Sequence, residues 1–110
     1  MNCQEIETAV RMNVPIVVLV MRDDSYGLIK WKQDDRFGDH CFVDFTNPDF
    51  AKMAESMHAV GLRVDKTEDL KDVLEQAFAS GKVCIIDCPV DYAENTKLTE
   101  HLKQMIAELE

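Results

Sequence analysis

The sequence predicts an α/β fold of three layers, in which helices flank both faces of a parallel sheet. Two observations indicate this class. Segments with helical spacing alternate with short apolar runs, in the order helix, strand, helix, strand, helix, strand, helix. The apolar runs at 16–21 and 83–90 are nearly continuous, as in strands that are covered on both faces. Such alternation favours right-handed crossovers and therefore parallel strands.

The first predicted elements are a helix and a strand. Asn2 can cap the helix, with Glu5 at the capping-box position, and we expect the helix to end near Asn13. The β-branched and aliphatic run at 16–21 then predicts a central strand of the sheet.

The middle of the chain contains weaker signals. A short helix is expected at 27–33, and the charged stretch 34–44 is typical of a loop. Asn47–Pro48 marks the start of the next helix, which Gly61 is expected to stop.

The last part of the chain has clearer periodicity. A short strand is predicted at 62–64, and a helix capped by Thr67 is expected to end at Gly81. The apolar run 83–90 predicts the third strand, and leucine spacing predicts a final helix over 98–109.

Composition limits the possible partners. The 110 residues form one predicted domain, 1–110, with a net charge of -9. This charge disfavours nucleic acid and anionic membrane surfaces as partners. The longest apolar run, 14–21, is too short to cross a bilayer. We therefore expect a soluble, cytoplasmic protein that binds neither.

The cysteines and histidines do not form a recognisable site. Cys84 and Cys88 fall in one predicted strand, where residues four apart are separated by roughly 13 Å, too far for a disulfide or a shared metal. We expect ordinary thiols here. The histidines are scattered and are assigned no chemistry: His40, His58 and His101.

The loop after the first strand is the richest candidate site, because ligands bind beyond the carboxyl ends of strands in open α/β sheets. It contains Asp23, Asp24 and Ser25, followed by Gly27. Two carboxylates and a hydroxyl could bind a hard cation such as Mg²⁺. Alternatively, the aspartates begin a turn and cap the next helix. Spacing alone leaves both interpretations open.

The wider sequence is similar to a known family. Residues 17–29 resemble the second half of the thiamine diphosphate motif, in which Gly-Asp-Gly is followed, after a helix and a strand, by a metal-binding Asn or Asp. Further segments resemble acetolactate synthases: 1–11, 29–33, 43–45, 47–50 and 89–92, followed by Asn95. Asp23 stands where many relatives have Asn, which points to the catabolic branch; the flavin-containing biosynthetic branch matches less well. The expected fold is Rossmann-like, as in the C-terminal, diphosphate-binding domain of these enzymes.

This resemblance implies a site, two cofactors and a substrate. Asp23 would bind Mg²⁺ through its side chain and Ser25 through its main-chain carbonyl. Tyr26, Gly27 and Leu28 would lie along the diphosphate of thiamine diphosphate. The whole enzyme would condense two pyruvates to acetolactate with loss of carbon dioxide, and a homo-oligomer is expected. The resemblance assigns no catalytic residue to this stretch.

The resemblance also implies that Gly-Asp-Gly would lie before Met1, so we expect the isolated chain to be inactive. Two alternatives stay open. The parent could be another thiamine diphosphate-dependent decarboxylase or carboligase. The chain could instead be a self-associating interaction module with a vestigial site, because an uncovered sheet edge favours pairing with another chain.

Three further residues have two interpretations each. Trp31 could line a substrate channel or simply pack, and Tyr92 could form a subunit contact or close a strand end. Asp87, within an apolar strand, is expected to have a backbone or basic partner, or to face a polar edge.

Overall fold

The computed structural model describes residues 2–92 and Met105. Three parallel strands form one sheet in the order β1-β3-β2. The strands are β1 (Val17–Arg22), β2 (Val60–Arg63) and β3 (Cys84–Pro89). The helices are α1 (Glu5–Arg11), α2 (Gly27–Phe37), α3 (Phe50–Ser56) and α4 (Leu70–Ala79), with a 3-10 turn at Thr67–Asp69. This arrangement confirms the α/β class with a parallel sheet.

The core lies on both faces of β3, whose alternate side chains point to opposite sides. Ile85, which is 0% exposed, packs in a cluster with α1 and α3. Ile86 packs in a second cluster with α4. The two clusters make the three layers that the sequence predicts.

The strand predicted to be central lies at an edge of the described sheet. β1 pairs with β3, and β3 occupies the middle position. Leu19 and Met21 on β1 are exposed. The prediction was wrong for this sheet because an apolar run reports how hydrophobic a strand is and not where it lies in the strand order.

Two helix boundaries differ from the predictions. Gln4 occupies the N-cap position of α1, and Asn2 contributes its main-chain carbonyl, which accepts from the Glu5 N–H at 3.1 Å. The side-chain cap expected of Asn2 was therefore wrong. Helix α2 continues to Phe37 and ends at Gly38, whose φ of 75° suits glycine. The last turn of α2 had been predicted to be part of a loop because its residues are mostly polar.

Helix α3 begins at Phe50, because the Asp49 carboxylate accepts from the Lys52 N–H at 3.1 Å and caps it. The helix ends before Gly61, which lies within β2. A Cβ at Gly61 would lie 2.2 Å from the Ala51 carbonyl oxygen. This glycine lets β2 approach α3. The prediction that it stops a helix was wrong.

The last described elements are close to their predictions. The helix expected from Thr67 begins as a 3-10 turn, and α4 ends two residues before Gly81. The cap predicted for Thr67 was wrong, because Thr67 lies inside the turn and Asp69 occupies the N-cap position of α4. The helix predicted over 98–109 lies outside the described residues, apart from Met105. Within the described part of the chain, no helix is long and apolar enough to cross a membrane.

Candidate cofactor-binding site

The loop between β1 and α2 is a tight turn formed by residues 23–26. The Ser25 N–H donates to Asp23 Oδ1 at 3.3 Å, the geometry of an Asx turn. Asp24 has a φ of 53°, a left-handed conformation that aspartate tolerates better than most residues. Tyr26 is the N-cap residue of α2. Asp23 thus begins a turn, as one of the two interpretations predicts, while the helix cap falls elsewhere.

A second segment, residues 43–47, holds this loop in place. The Tyr26 N–H donates to the Val43 carbonyl at 2.9 Å, and the Phe45 N–H donates to the Asp24 carbonyl at 3.0 Å. Ser25 and Asp44 form the antiparallel bridge between the two segments. The sequence analysis missed this contact because it joins residues about twenty positions apart.

Side-chain contacts reinforce the same junction. The Asn47 side-chain amide donates to Asp24 Oδ1 at 2.9 Å. The Tyr26 and Phe45 rings pack with their centroids 4.9 Å apart. The loop is therefore attached to 43–47 through its main chain, one carboxylate and one aromatic pair.

Below the loop lies the buried carboxylate of Asp87, which is 2% exposed. Its Oδ1 accepts from Arg22 Nε at 2.8 Å, and its Oδ2 lies 3.6 Å from Arg63 Nε. The hydrogen bond to Asp87 raises the pKa of Arg22, which stays charged. The expected basic partner of Asp87 is confirmed.

A cavity of about 380 Å³ opens at the carboxyl ends of β1 and β3. Its lining consists of Asp23, Ser25, Gly27, Lys30, Trp31, Asp34, Val90, Asp91 and Tyr92. The structure thus brings together Asp23, Ser25 and Gly27 from the predicted site. Within the described part of the chain, Tyr26 and Leu28 lie outside this lining and are 59% and 63% exposed.

The geometry around Gly27 fits a phosphate group. A Cβ at this position would lie 2.5 Å from Asp23 Oδ2 and 3.3 Å from a ring atom of Tyr92. Glycine therefore keeps open the space between the first turn of α2 and the Asp23 carboxylate. The first N–H groups of a helix have no acceptor within the helix, so they can donate to a bound phosphate.

The described lining of the cavity is rich in acidic residues, which favour a bound cation. Its described lining carries the carboxylates of Asp23, Asp34 and Asp91. Lys30 also lines the cavity, but its ammonium group pairs with Asp44 at 2.8 Å. A diphosphate here would meet carboxylate repulsion unless a divalent cation lay between them.

The donor types suit Mg²⁺, which prefers carboxylate, carbonyl and phosphate oxygens. Among the described residues, no three acidic, histidine or cysteine side chains gather into a metal-binding group. A cation beside Asp23 would therefore take further ligands from the main chain, from a phosphate or from water.

His40 lies next to the cavity but outside its lining. Its Nδ1 is 2.7 Å from Asp34 Oδ1, and its Nε2 is 3.6 Å from Asp44 Oδ2. The hydrogen bond from Lys30 lowers the pKa of Asp44, with a smaller contribution from His40. These contacts join α2 to the segment that holds the loop, a role that the sequence analysis did not assign.

Comparison with known proteins identifies the family of this chain. Residues 1–88 match the family model described as thiamine pyrophosphate enzyme, C-terminal TPP binding domain. The chain belongs to this family. The match covers α1, the Asp23 loop and most of β3, and it confirms the resemblance that the sequence analysis identified.

Curated proteins with similar sequences include two acetolactate synthases and a pyruvate oxidase. An acetolactate synthase of Bacillus subtilis (strain 168) is 42% identical over 97 residues, which cover 88% of this chain and 17% of the relative. A catabolic acetolactate synthase of Raoultella terrigena is 30% identical over 107 residues, covering 96% of this chain and 19% of the relative. A pyruvate oxidase of Lactiplantibacillus plantarum is 39% identical over 80 residues, covering 72% and 13%. The chain spans less than a fifth of the length of each relative.

Proposed function

We propose that residues 1–110 form the C-terminal portion of a thiamine diphosphate-binding domain in an acetolactate synthase. The observation that carries this proposal is the meeting of Asp23, Ser25 and Gly27 in one cavity beyond the end of β1. The family match and the names of the relatives support the same assignment. The parent enzyme would condense two pyruvates to acetolactate and release carbon dioxide.

The proposed ligands of Mg²⁺ are the Asp23 carboxylate and the Ser25 main-chain carbonyl. Ser25 lies in a turn that the Asp23 carboxylate itself closes, so the two groups stay close to each other. Mg²⁺ held by these oxygens would offset the negative charge of the cavity.

The diphosphate would lie along Tyr26, Gly27 and Leu28. The N–H groups of Gly27 and Leu28 belong to the first turn of α2 and can donate to phosphate oxygens. The Tyr26 N–H already donates to Val43, so Tyr26 would mainly fix the course of the loop. Bound thiamine diphosphate supplies the electron sink for carbon–carbon bond cleavage and formation, and this chain supplies its anchoring.

A second candidate is a different thiamine diphosphate enzyme that acts on pyruvate. The similarity to a pyruvate oxidase favours it. The two candidates differ in product, so acetolactate formation from pyruvate supports the first and pyruvate-dependent oxygen uptake supports the second. Cytoplasmic location and assembly into a homo-oligomer stay predictions.

The test is calorimetric titration of the proposed parent enzyme, called the full-length protein below, with thiamine diphosphate, with and without Mg²⁺. We expect binding that requires Mg²⁺ and is lost in Asp23→Ala. The matched control is Asp72→Ala, which removes an exposed aspartate from α4, outside the cavity lining. Binding that is unaffected by Asp23→Ala would contradict the proposed site.

A further inference from the structure

Arg22 connects the centre of the sheet to the loop that carries the proposed metal ligands. On one side, its Nε donates to Asp87 Oδ1 on β3 at 2.8 Å. On the other side, its Nη1 donates to the Asp24 carboxylate. A guanidinium group is planar and presents several donors in a fixed geometry, so a single side chain can bridge two carboxylates. The position of Asp24 is thereby tied to the middle strand.

The sheet end of this bridge is buried and fully paired. Asp87 is buried, and a buried carboxylate requires charged or hydrogen-bonding partners. Arg22 and Arg63 approach it from the two neighbouring strands, and Arg63 Nη2 also pairs with Asp49 at 2.8 Å. The Arg22 guanidinium is thus held beside β3, where β1 and β2 end.

The loop end of the bridge is equally well defined. The second oxygen of the Asp24 carboxylate accepts from the Asn47 side-chain amide. The main-chain carbonyl of Asp24 accepts from the Phe45 N–H. Asp24 stands between Asp23 and Ser25 in the chain. Any change in its backbone therefore displaces both proposed metal ligands.

We propose that Arg22 and Asp24 are positioning residues that hold Asp23 and Ser25 at the spacing needed to bind Mg²⁺. This inference rests on the proposed function. Neither side chain touches the metal in this account; each acts through the loop. Groups that orient metal ligands commonly change metal affinity by about 10- to 100-fold when they are removed.

If Asp24 had a purely structural role, its substitution would lower the thermal stability of the metal-free protein. Asp24 is 49% exposed on its side chain, and exposed ion pairs contribute little to folding. Removing its charge should therefore leave the thermal stability of the metal-free protein nearly unchanged. The effect should appear in the Mg²⁺ concentration that half-saturates thiamine diphosphate binding.

The sharpest variant is Asp24→Asn. Asparagine has nearly the same size and also tolerates a φ of 53°, so the substitution removes the charge without straining the backbone. Arg22→Lys is the complementary variant, because lysine keeps the positive charge but lacks the planar fork that reaches both carboxylates. Glu7→Gln is the control, since it removes the charge of an exposed pair with Arg11 on α1.

In the full-length protein, we expect Asp24→Asn and Arg22→Lys to raise the half-saturating Mg²⁺ concentration about tenfold or more. Glu7→Gln should leave it unchanged. If both variants bind Mg²⁺ like the wild type while Asp23→Ala loses binding, the positioning role is wrong and the proposed function stands.

Amide exchange of the cofactor-free protein provides a second, independent readout. We expect the Tyr26 and Phe45 amides to exchange faster in Asp24→Asn but not in Glu7→Gln. Unchanged exchange would overturn the positioning role. A wild-type protein that does not bind thiamine diphosphate with Mg²⁺ would instead overturn the proposed function, and the inference with it.

Discussion

Replacing Gly27 by alanine should weaken cofactor binding while leaving the fold intact. The new Cβ would lie 2.5 Å from Asp23 Oδ2, whereas non-bonded heavy atoms are comfortable at about 3.5 Å or more. The carboxylate would therefore have to retreat by roughly 1 Å. Because Asp23 Oδ2 is the end of a side chain, it can rotate away at little cost to folding.

The same displacement is large for a metal ligand. Metal–ligand distances are defined to within about 0.2 Å, so a shift of about 1 Å removes the carboxylate from the site. We expect Mg²⁺-dependent binding of thiamine diphosphate to weaken at least tenfold, about 1.4 kcal/mol. The stability should change little, because alanine at a compatible helical position restricts the unfolded chain and contributes about 0.4–1 kcal/mol.

Calorimetric titration and thermal unfolding of the full-length protein measure the two effects separately. The matched control is Gly38→Ala, where nothing lies within 4 Å of the new Cβ but φ is 75°. That variant should lose about 1 kcal/mol of stability and keep its cofactor affinity. Unweakened binding in Gly27→Ala would refute the placement of the diphosphate and Mg²⁺ beside Asp23.

Two further predictions concern folding. Gly61→Ala should cost about 1–3 kcal/mol, measured by urea unfolding, because its Cβ would meet the Ala51 main chain, which cannot rotate away. At pH values above 3.8, the ordinary pKa of its side chain, Asp49 should stabilise the fold. The reason is that the Lys52 N–H and then Arg63 lower its pKa in the folded state. This contribution is present above pH 3.8 and is lost as the pH falls through the lower folded pKa. The melting temperature of Asp49→Asn should depend less on pH in that acidic range, and an equal dependence would contradict the assignment.

Much of the fold was predictable because local patterns determine it. The apolar run that becomes β3 and the amphipathic spacing of α4 both reflect burial against the sheet. The Asn2 cap and the stop at Gly61 failed for a different reason. A cap depends on how the chain enters the helix, and Gly61 is required by the approach of β2 to α3, which local sequence does not reveal.

The site shows the same division. That Asp23 and Ser25 line a cavity was predictable, because the loop after a parallel strand is a common binding position. The cavity also draws on Asp91 and Tyr92, which the strand order brings beside them. The Arg22 bridge and the 43–47 segment were not predictable, since both depend on contacts between distant parts of the chain.

The most direct test of the central claim is a crystal structure of the full-length protein with thiamine diphosphate and Mn²⁺ in place of Mg²⁺. Anomalous scattering locates the manganese without ambiguity. We predict one ion bound by the Asp23 carboxylate and the Ser25 carbonyl, with the diphosphate against Gly27. An ion and cofactor bound away from the β1–α2 loop would contradict the account.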